Sequence, residues 1–241
     1  MTDLKTAPSR RVKVWDLPTR LFHWLLVIGI FAMWFTADVL DRLSLHMAIG
    51  YALIGLIVFR LIWGFIGSDT ARFRHFIRGP GHIISYLRKS DDSVALGHNP
   101  LGALSVVTLL LVIMVQLGTG LFANDQIYSE GPFSDYVSER TQDLLTYIHE
   151  VNFYILLGLI GLHLAAIAFY QFKKHEPLVR AMITGQRELK SGERVQNPNV
   201  RFAGLIAFVI ALLLAVGAWP VGWGCISLMQ VKPAMRPTLV S

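Results

Sequence analysis

The stretch from His149 to His163, which reads HEVNFYILLGLIGLH, decides the fold that we predict for this chain. The residues between the two histidines are mostly apolar, which is typical of a helix inside a membrane. Because an α-helix has about 3.6 residues per turn, 14 residues make close to four turns, so both imidazoles lie on one face, about 21 Å apart along the axis. At that distance they cannot bind one metal ion together, and the spacing favours two separate cofactors.

Apolar stretches with few charges recur along the rest of the chain. Its 241 residues are 54% hydrophobic and only 16% charged, with a mean hydropathy of +0.50, whereas soluble domains average about 25% charged residues. A helix needs about 20 residues to cross a hydrocarbon core. We therefore predict an all-α integral membrane protein. A four-helix transmembrane bundle would lie within residues 1–186, and a linker, a fifth helix and a periplasmic tail within 187–241, with spans at about 18–37, 44–66, 100–123, 142–174 and 202–219.

The single cysteine, Cys225, limits the metal chemistry of this sequence. One cysteine excludes an internal disulfide, a Cys-x-x-Cys-His haem attachment, a cysteine-ligated iron–sulfur cluster and a zinc ribbon. Metal ligands must then be histidine, methionine, carboxylate or backbone groups. We also expect no cleaved signal peptide, because the first apolar stretch is long and no small-residue cleavage site follows it.

The distribution of basic residues predicts the orientation of the chain. With five spans, 18 of the 22 lysines and arginines fall on one side, and such a bias marks the cytoplasmic side. We therefore expect a bacterial inner-membrane protein with a cytoplasmic N-terminus and a periplasmic C-terminus. The topology accounts for the pI of 9.6, so we predict no nucleic-acid partner. The loop between spans three and four is acidic, which fits a basic periplasmic partner or a merely solvated loop.

Four of the eight histidines lie inside predicted spans, where ionisable side chains are costly and are candidates for function. Their positions along the spans place His23 and His163 near the cytoplasmic side, and His46 and His149 near the periplasmic side. Two imidazoles that face each other from different helices are what axial ligation of a haem iron requires. The sequence therefore predicts two b haems, one for each pair. The other histidines are expected to be ordinary surface residues: His75, His82, His98 and His175.

Two arginines and a glycine are further candidates at these sites. Arg20 shares a helix face with His23, and Arg60 lies 14 residues after His46 on the same face. Both would pair with the propionates of the cytoplasmic-side haem, unless they only snorkel to the interface. Gly50, one turn after His46, would let a flat ring approach the backbone, although simple helix packing explains it as well.

Taken together, the motifs resemble the prokaryotic cytochrome b561 family, which includes the b-type cytochrome subunits of nickel–iron hydrogenases and of thiosulfate reductase. The resemblance covers about residues 12–186. It implies a four-helix membrane bundle holding two b haems, with ligands from the first, second and fourth helices, and hence the same two histidine pairs. The matching segments are VWDLPTRLFHW at 14–24, His46 with Gly50, RLIWGFIG at 60–67, ARF at 71–73, GHNP at 97–100, LGTGLF at 117–122, His149, His163 and VRAMITG at 179–185.

Two haems on opposite sides of the membrane predict transmembrane electron transfer. The resemblance implies that it connects ubiquinone or menaquinone with a periplasmic redox partner, such as a c-type cytochrome or a dehydrogenase. Its direction stays open, and a quinone site would draw on Arg60, Arg74, Arg78 or His75. The alternatives are a haem-bearing anchor subunit of a hydrogenase or other oxidoreductase, a superoxide/quinone oxidoreductase, and a haem-free metal or proton transporter. The spans carry no carboxylate relay, which disfavours the transporter. We also expect the chain to contact membrane lipid. The fifth helix is a candidate for docking a partner or a second copy of the chain in a homo-oligomer.

Overall fold

The computed structural model describes residues 10–77, 97–124, 130–189 and 200–217, with the single positions 79, 81, 84, 85, 88, 94, 95, 195 and 196 between them. The described chain is mostly helical. Its helices are α1 Leu17–Trp34, α2 Leu43–Ile66, α3 Phe73–Phe76, α4 Pro100–Gly120, α5 Glu139–Phe172, α6 Leu178–Thr184 and α7 Leu205–Gly217. Four short strands accompany them: β1 Arg10–Lys13, β2 Val94–Ala95, β3 Gln186–Leu189 and β4 Val195–Gln196.

Four of these helices are long and apolar enough to cross a membrane. They are α1 with the π-helical turn Phe35–Val39 that continues it, α2, α4 and α5. Their ends differ by at most three residues from the spans predicted at 18–37, 44–66, 100–123 and 142–174. The prediction of a four-helix membrane-spanning protein is thereby confirmed.

Helix α7 occupies the region of the predicted fifth span, 202–219. Its 13 described residues are fewer than the roughly 20 that a crossing needs, and residues 218–241 lie outside the described part, so a fifth crossing stays a prediction. One face of α7 packs on α2: Ala211 is fully buried, and the ring centre of Phe208 lies 6.0 Å from that of Phe59 and 6.2 Å from that of Trp63. That face is therefore already covered within this chain.

Polar caps explain where the long helices begin. The Asp16 carboxylate accepts a hydrogen bond of 2.8 Å from Thr19 N, and the Asn99 side chain accepts one of 2.7 Å from Gly102 N. Each cap satisfies an amide that would otherwise lack a partner at the first turn. A proline follows closely in both helices, at a position where no amide donor is needed.

The segments before α1 and after α5 meet at one end of the bundle. Strand β1 pairs antiparallel with β3, and the Gly185 carbonyl accepts hydrogen bonds from Val14 N at 2.8 Å and Trp15 N at 3.1 Å. The sequence predicted only a linker after the fourth span and missed α6, β3 and this pairing. Four long helices lie between the two segments, and an even number of crossings returns the chain to the side from which it started. The contact between the segments therefore agrees with the prediction that both lie on the same side of the membrane.

Large apolar side chains cover much of the outside of the bundle. Ile28, Phe31, Leu162 and Tyr154 are all more than half exposed, whereas a water-facing surface of this size would be polar. The buried core is smaller and is centred on α2, with Ile57 and Trp63 packed against Phe22 of α1. This distribution is what a bundle surrounded by lipid requires.

Candidate functional site

The structure brings His46 and His149 face to face, and we call this the 46/149 site. His46 lies in the first turn of α2 and His149 lies about three turns into α5. Their ring centres are 6.5 Å apart and the ring planes are inclined by 75°. Two metal–imidazole bonds of about 2 Å each separate the ligating nitrogens by about 4 Å and the ring centres by about 6 Å. The spacing therefore fits two axial ligands on one iron.

Hydrogen bonds determine which nitrogen of each ring is free to bind a metal. His46 Nδ1 lies 2.9 Å from the carbonyl oxygen of Met33, and His149 Nδ1 lies 2.9 Å from that of Gln116. Since a carbonyl oxygen only accepts, both Nδ1 atoms carry the proton and both Nε2 atoms keep a lone pair. A ligating histidine held by a backbone carbonyl is the usual arrangement at metal sites.

A cavity of about 550 Å³ opens beside this pair. Gly50 lines it together with both histidines, and its role beside a bound ring stays a prediction. On α4, Gly120 lies directly against His149: a Cβ atom at Gly120 would stand 2.9 Å from His149 Cε1, whereas one at Gly118 would have nothing within 4 Å. Because Gly120 has no side chain, the His149 ring can pack directly against α4.

The second predicted pair, His23 and His163, forms what we call the 23/163 site. His23 lies in α1 and His163 in α5, and they are close enough to interact electrostatically. Among the described residues, His163 Nδ1 has a single hydrogen-bonding contact, with Ser105 Oγ at 3.5 Å, the limit of a hydrogen bond. His23 Nδ1 is buried and has no hydrogen-bond partner among the described residues. This site is therefore held less firmly than the 46/149 site.

Arg60, a predicted propionate partner, is buried at the same end of the bundle as the 23/163 site. Only 3% of the residue is exposed. Its guanidinium donates a hydrogen bond of 3.2 Å to the Ala71 carbonyl and lies 4.9 Å from the ring centre of Phe73 and 5.8 Å from that of Phe22. Such burial does not fit the alternative that Arg60 simply snorkels to the interface.

Arg20, the other predicted propionate partner, lies where α1 meets α6. Its guanidinium donates a hydrogen bond to the Ile183 carbonyl, and its Nε is buried with no partner in the described part of the chain. A buried donor without an acceptor is costly. An anionic group at this position would remove that cost, which suits the predicted role.

His98 was predicted to be an ordinary surface residue, and that prediction is wrong. Its ring centre lies 4.7 Å from the ring centres of both Trp15 and Phe76, and its Nδ1 atom is buried. Burial, helped by the nearby charges of Arg60, His163 and His23, lowers the pKa of His98 to about 3. His98 is therefore a neutral imidazole close to the 23/163 site.

Of the other predicted surface and quinone-site residues, those that the structure describes are exposed. Arg74 and His75 are exposed on α3, where His75 Nδ1 donates to the Asp69 carbonyl at 3.0 Å. His175 is exposed just after α5. Arg78 and His82 lie outside the described residues.

Sequence reasoning missed a polar group between α4 and α5. The Asn152 side-chain amide is buried and donates to the Val112 carbonyl at 3.0 Å and to the Gln116 side-chain oxygen at 2.6 Å. Thr119 Oγ1 lies 3.2 Å from His149 Nδ1 and donates its own proton to the Val115 carbonyl. Polar residues one turn apart in an otherwise apolar span were the signal that could have identified them.

Comparison with known proteins gives a family match. The family model of prokaryotic cytochrome b561 matches residues 14–185. Probable Ni/Fe-hydrogenase B-type cytochrome subunits are similar over most of both chains: that of Rhizobium leguminosarum bv. viciae is 21% identical over 78% of this chain and 94% of the relative, and that of Azotobacter vinelandii 23% over 77% and 92%. No solved structure matches. The family match begins at Val14 and ends at Gly185, the two residues that hydrogen-bond to each other where the bundle closes. This chain thus belongs to the prokaryotic cytochrome b561 family, a family of b-haem membrane proteins.

Proposed function

We propose that this protein is a di-haem b-type cytochrome that carries electrons across the membrane. The observation that carries the proposal is the 46/149 site, where two imidazoles from different helices face each other at 6.5 Å with their Nδ1 atoms bound to backbone carbonyls. His46 and His149 would be the axial ligands of one haem, and His23 and His163 those of the other. A haem supplies an iron that takes up and gives up one electron.

The two sites are suited to crossing the membrane because α5 contributes one histidine to each. The 14 residues between His149 and His163 separate them by about 21 Å along the helix, most of the thickness of the hydrocarbon core. Arg20 and Arg60 would hold the propionates of the 23/163 haem. Gly50 would allow the other haem to lie against α2.

The names of the relatives favour a particular partner. Relatives that align with more than three quarters of this chain are described as probable B-type cytochrome subunits of Ni/Fe hydrogenases. We therefore propose that this chain is the membrane subunit that links a hydrogenase to the quinone pool, ubiquinone or menaquinone, in the bacterial inner membrane. A periplasmic c-type cytochrome in place of the hydrogenase is the alternative expected from the family resemblance.

Haem content and spectra test the proposal. Purified protein should contain two b haems per chain and show a b-type alpha band in a reduced-minus-oxidised spectrum. His46→Ala and His149→Ala should each remove the same spectral component, and His23→Ala and His163→Ala the other one. One haem per chain, or a common loss in His23→Ala and His149→Ala, would contradict the assignment. Co-purification of hydrogenase subunits with a tagged chain would support that partner, and a stable complex with a c-type cytochrome instead would replace it.

A further inference from the structure

His98 is held in place by aromatic contacts, while one of its polar atoms lacks a partner. Its ring centre lies 4.7 Å from that of Trp15, with the ring planes inclined by 60°, and 4.7 Å from that of Phe76, with the planes inclined by 48°. A neutral imidazole carries one N–H donor and one lone pair. The Nδ1 atom is buried and has no hydrogen-bond partner among the described residues, so one of these two groups is left unsatisfied.

The backbone on both sides of His98 is fixed as well. Gly97 has a φ of +107°, a conformation that residues with a side chain rarely adopt. Asn99 caps helix α4, because its side chain accepts a hydrogen bond of 2.7 Å from Gly102 N. His98 therefore lies between a turn that favours glycine and the start of a helix, and its backbone position is set independently of its side chain.

Packing alone does not require a histidine at this position. A phenylalanine would also offer an aromatic ring to Trp15 and Phe76, and it would avoid the cost of a buried polar atom without a partner. The carboxylate next to Trp15 in the chain does not supply that partner. Asp16 accepts from Thr19 N at 2.8 Å through one oxygen and from Trp63 Nε1 at 3.1 Å through the other. The imidazole is therefore suited to a partner that the described part of the chain does not provide.

The surroundings of His98 favour an acidic partner. Arg60, His163 and His23 are all close enough to act on the charge of His98, so His98 lies beside the 23/163 site. Arg60 is buried and donates to the Ala71 carbonyl at 3.2 Å, which leaves further N–H groups of its guanidinium for another acceptor. The two propionates of a haem are carboxylates, which accept hydrogen bonds from charged and uncharged donors alike. A cation and an uncharged donor thus lie together beside the site of the proposed haem.

We propose that His98 binds a propionate of the 23/163 haem by donating a ring N–H to one of its oxygens, next to Arg60. This inference rests on the proposed function and adds to it a residue that was expected to be an ordinary surface histidine. Arg60 would balance the charge of the propionate. His98 would fix the direction of the propionate, because an imidazole held by aromatic contacts and by a fixed backbone donates along a single line. His98 makes no bond to the iron in this arrangement.

Two variants separate the hydrogen bond from the packing. His98→Phe keeps an aromatic ring and removes the N–H, whereas His98→Gln keeps an N–H and removes the ring. The measurement is haem transfer from the purified full-length holoprotein to an excess of apomyoglobin, followed for each spectral component. Loss of a hydrogen bond to a charged group should make His98→Phe release the 23/163 haem about 10-fold to 150-fold faster than wild type. His98→Gln should be closer to wild type than to His98→Phe.

The 46/149 haem is the internal control, because it lies about four helical turns away and should be released at the wild-type rate in both variants. A resonance Raman spectrum adds a reading that packing would not change. The propionate bending band of the 23/163 haem should shift in His98→Phe and return towards its wild-type position in His98→Gln, because this band responds to hydrogen bonds at the carboxylate.

A second pair keeps the test decisive if His98→Phe protein does not fold. His98→Leu and His98→Gln both remove the aromatic ring and have similar length, and they differ in the amide group. The leucine variant should release the 23/163 haem faster than the glutamine variant. Equal release in these two variants would mean that the N–H of residue 98 does not hold the haem.

The outcomes also separate this inference from the function on which it rests. A role in packing alone predicts the reverse order, with wild-type release and an unshifted propionate band in His98→Phe and fast release in His98→Gln. That result would overturn the assignment of His98 and leave the di-haem assignment standing. Fewer than two haems in the folded wild-type protein would instead remove the proposed function itself.

Discussion

Gly120 offers the sharpest test of the 46/149 site, because its change to alanine would add a single methyl group directly against a proposed ligand. The new Cβ would stand 2.9 Å from His149 Cε1 and 3.2 Å from His149 Nδ1. Ordinary contacts begin at 3.4 Å, so the ring would have to retreat by about 0.5 Å. Gln116, whose carbonyl holds that ring at 2.9 Å, lies one turn earlier on the same helix. Retreat from α4 therefore stretches this hydrogen bond and would displace Nε2 from the position in which it is proposed to bind a haem iron.

The size of the effect follows from the cost of overpacking. An added methylene in a well-packed site costs about 1–3 kcal/mol, and every 1.4 kcal/mol is a tenfold change in an equilibrium constant. If the whole cost falls on the haem-bound state, Gly120→Ala should weaken binding of the 46/149 haem by about 5-fold to 150-fold. The 23/163 haem lies about four helical turns away and should be unaffected.

Gly118→Ala is the matched control for this change. It adds the same methyl group to the same helix two residues earlier, where nothing lies within 4 Å. The assay is the haem-to-protein ratio after purification, together with the amplitude of each spectral component in a redox titration. Gly120→Ala protein that keeps both haems with unaltered spectra and potentials, or Gly118→Ala protein with an equal loss, would refute the placement of His149 against α4.

Three further changes test the surroundings of the sites. Asn152→Leu removes two hydrogen bonds between α4 and α5 and should lower the free energy of unfolding by about 1–2 kcal/mol. The measurement is the melting temperature of the haem absorbance in detergent, which should fall. An unchanged melting temperature would show that these bonds do not stabilise the bundle. Because the pKa of His98 is about 3 in the folded chain and about 6.5 in the unfolded chain, the unfolded chain alone binds this proton between these values. The free energy of unfolding should therefore fall as the pH drops from 6.5 towards 3, by up to about 1.4 kcal/mol per pH unit, and His98→Gln should flatten that slope in denaturant titrations at pH 7 and pH 5. Gly185→Ala places a residue with a Cβ at φ +78°, with that Cβ 2.7 Å from the Trp15 carbonyl oxygen, and should cost at least about 1–2 kcal/mol, seen as faster tryptic cleavage near β3 with wild type as the reference.

Hydropathy was enough to predict the four long helices because membrane crossing imposes a length and a composition on each of them. The ends are less well defined by hydropathy. Helix α5 begins at Glu139 rather than near 142 because Ser138 caps it, its side chain lying 3.4 Å from Thr141 N. The face shared by His149 and His163 also followed from the helical repeat alone, and the structure places His149 opposite His46 as the depth argument expected.

The groups that hold the histidines could not be predicted, and there is a physical reason for it. His46 and His149 are fixed by the carbonyl oxygens of Met33 and Gln116, and a backbone oxygen leaves no trace in residue identity. His98 looked like a loop residue because the two rings around it, Trp15 and Phe76, come from distant parts of the sequence. Strand β1 has only four residues, three of them basic, which is too short a pattern to predict pairing with β3.

The 23/163 site is fixed by other means, and Asp16 is central to them. One oxygen of its carboxylate accepts the amide of Thr19 at 2.8 Å, and the other accepts Trp63 Nε1 at 3.1 Å. A single buried carboxylate therefore ties the start of α1 to the end of α2. His23 lies two turns beyond Asp16 on α1, and Arg60 lies one turn before Trp63 on α2. The proposed haem ligand and the proposed propionate partner are thus held in register by helix-end contacts, while the rings of the 46/149 site are held directly. A direct hydrogen bond fixes the tautomer and the orientation of an imidazole, whereas a helix-end contact fixes only the position of the backbone that carries it.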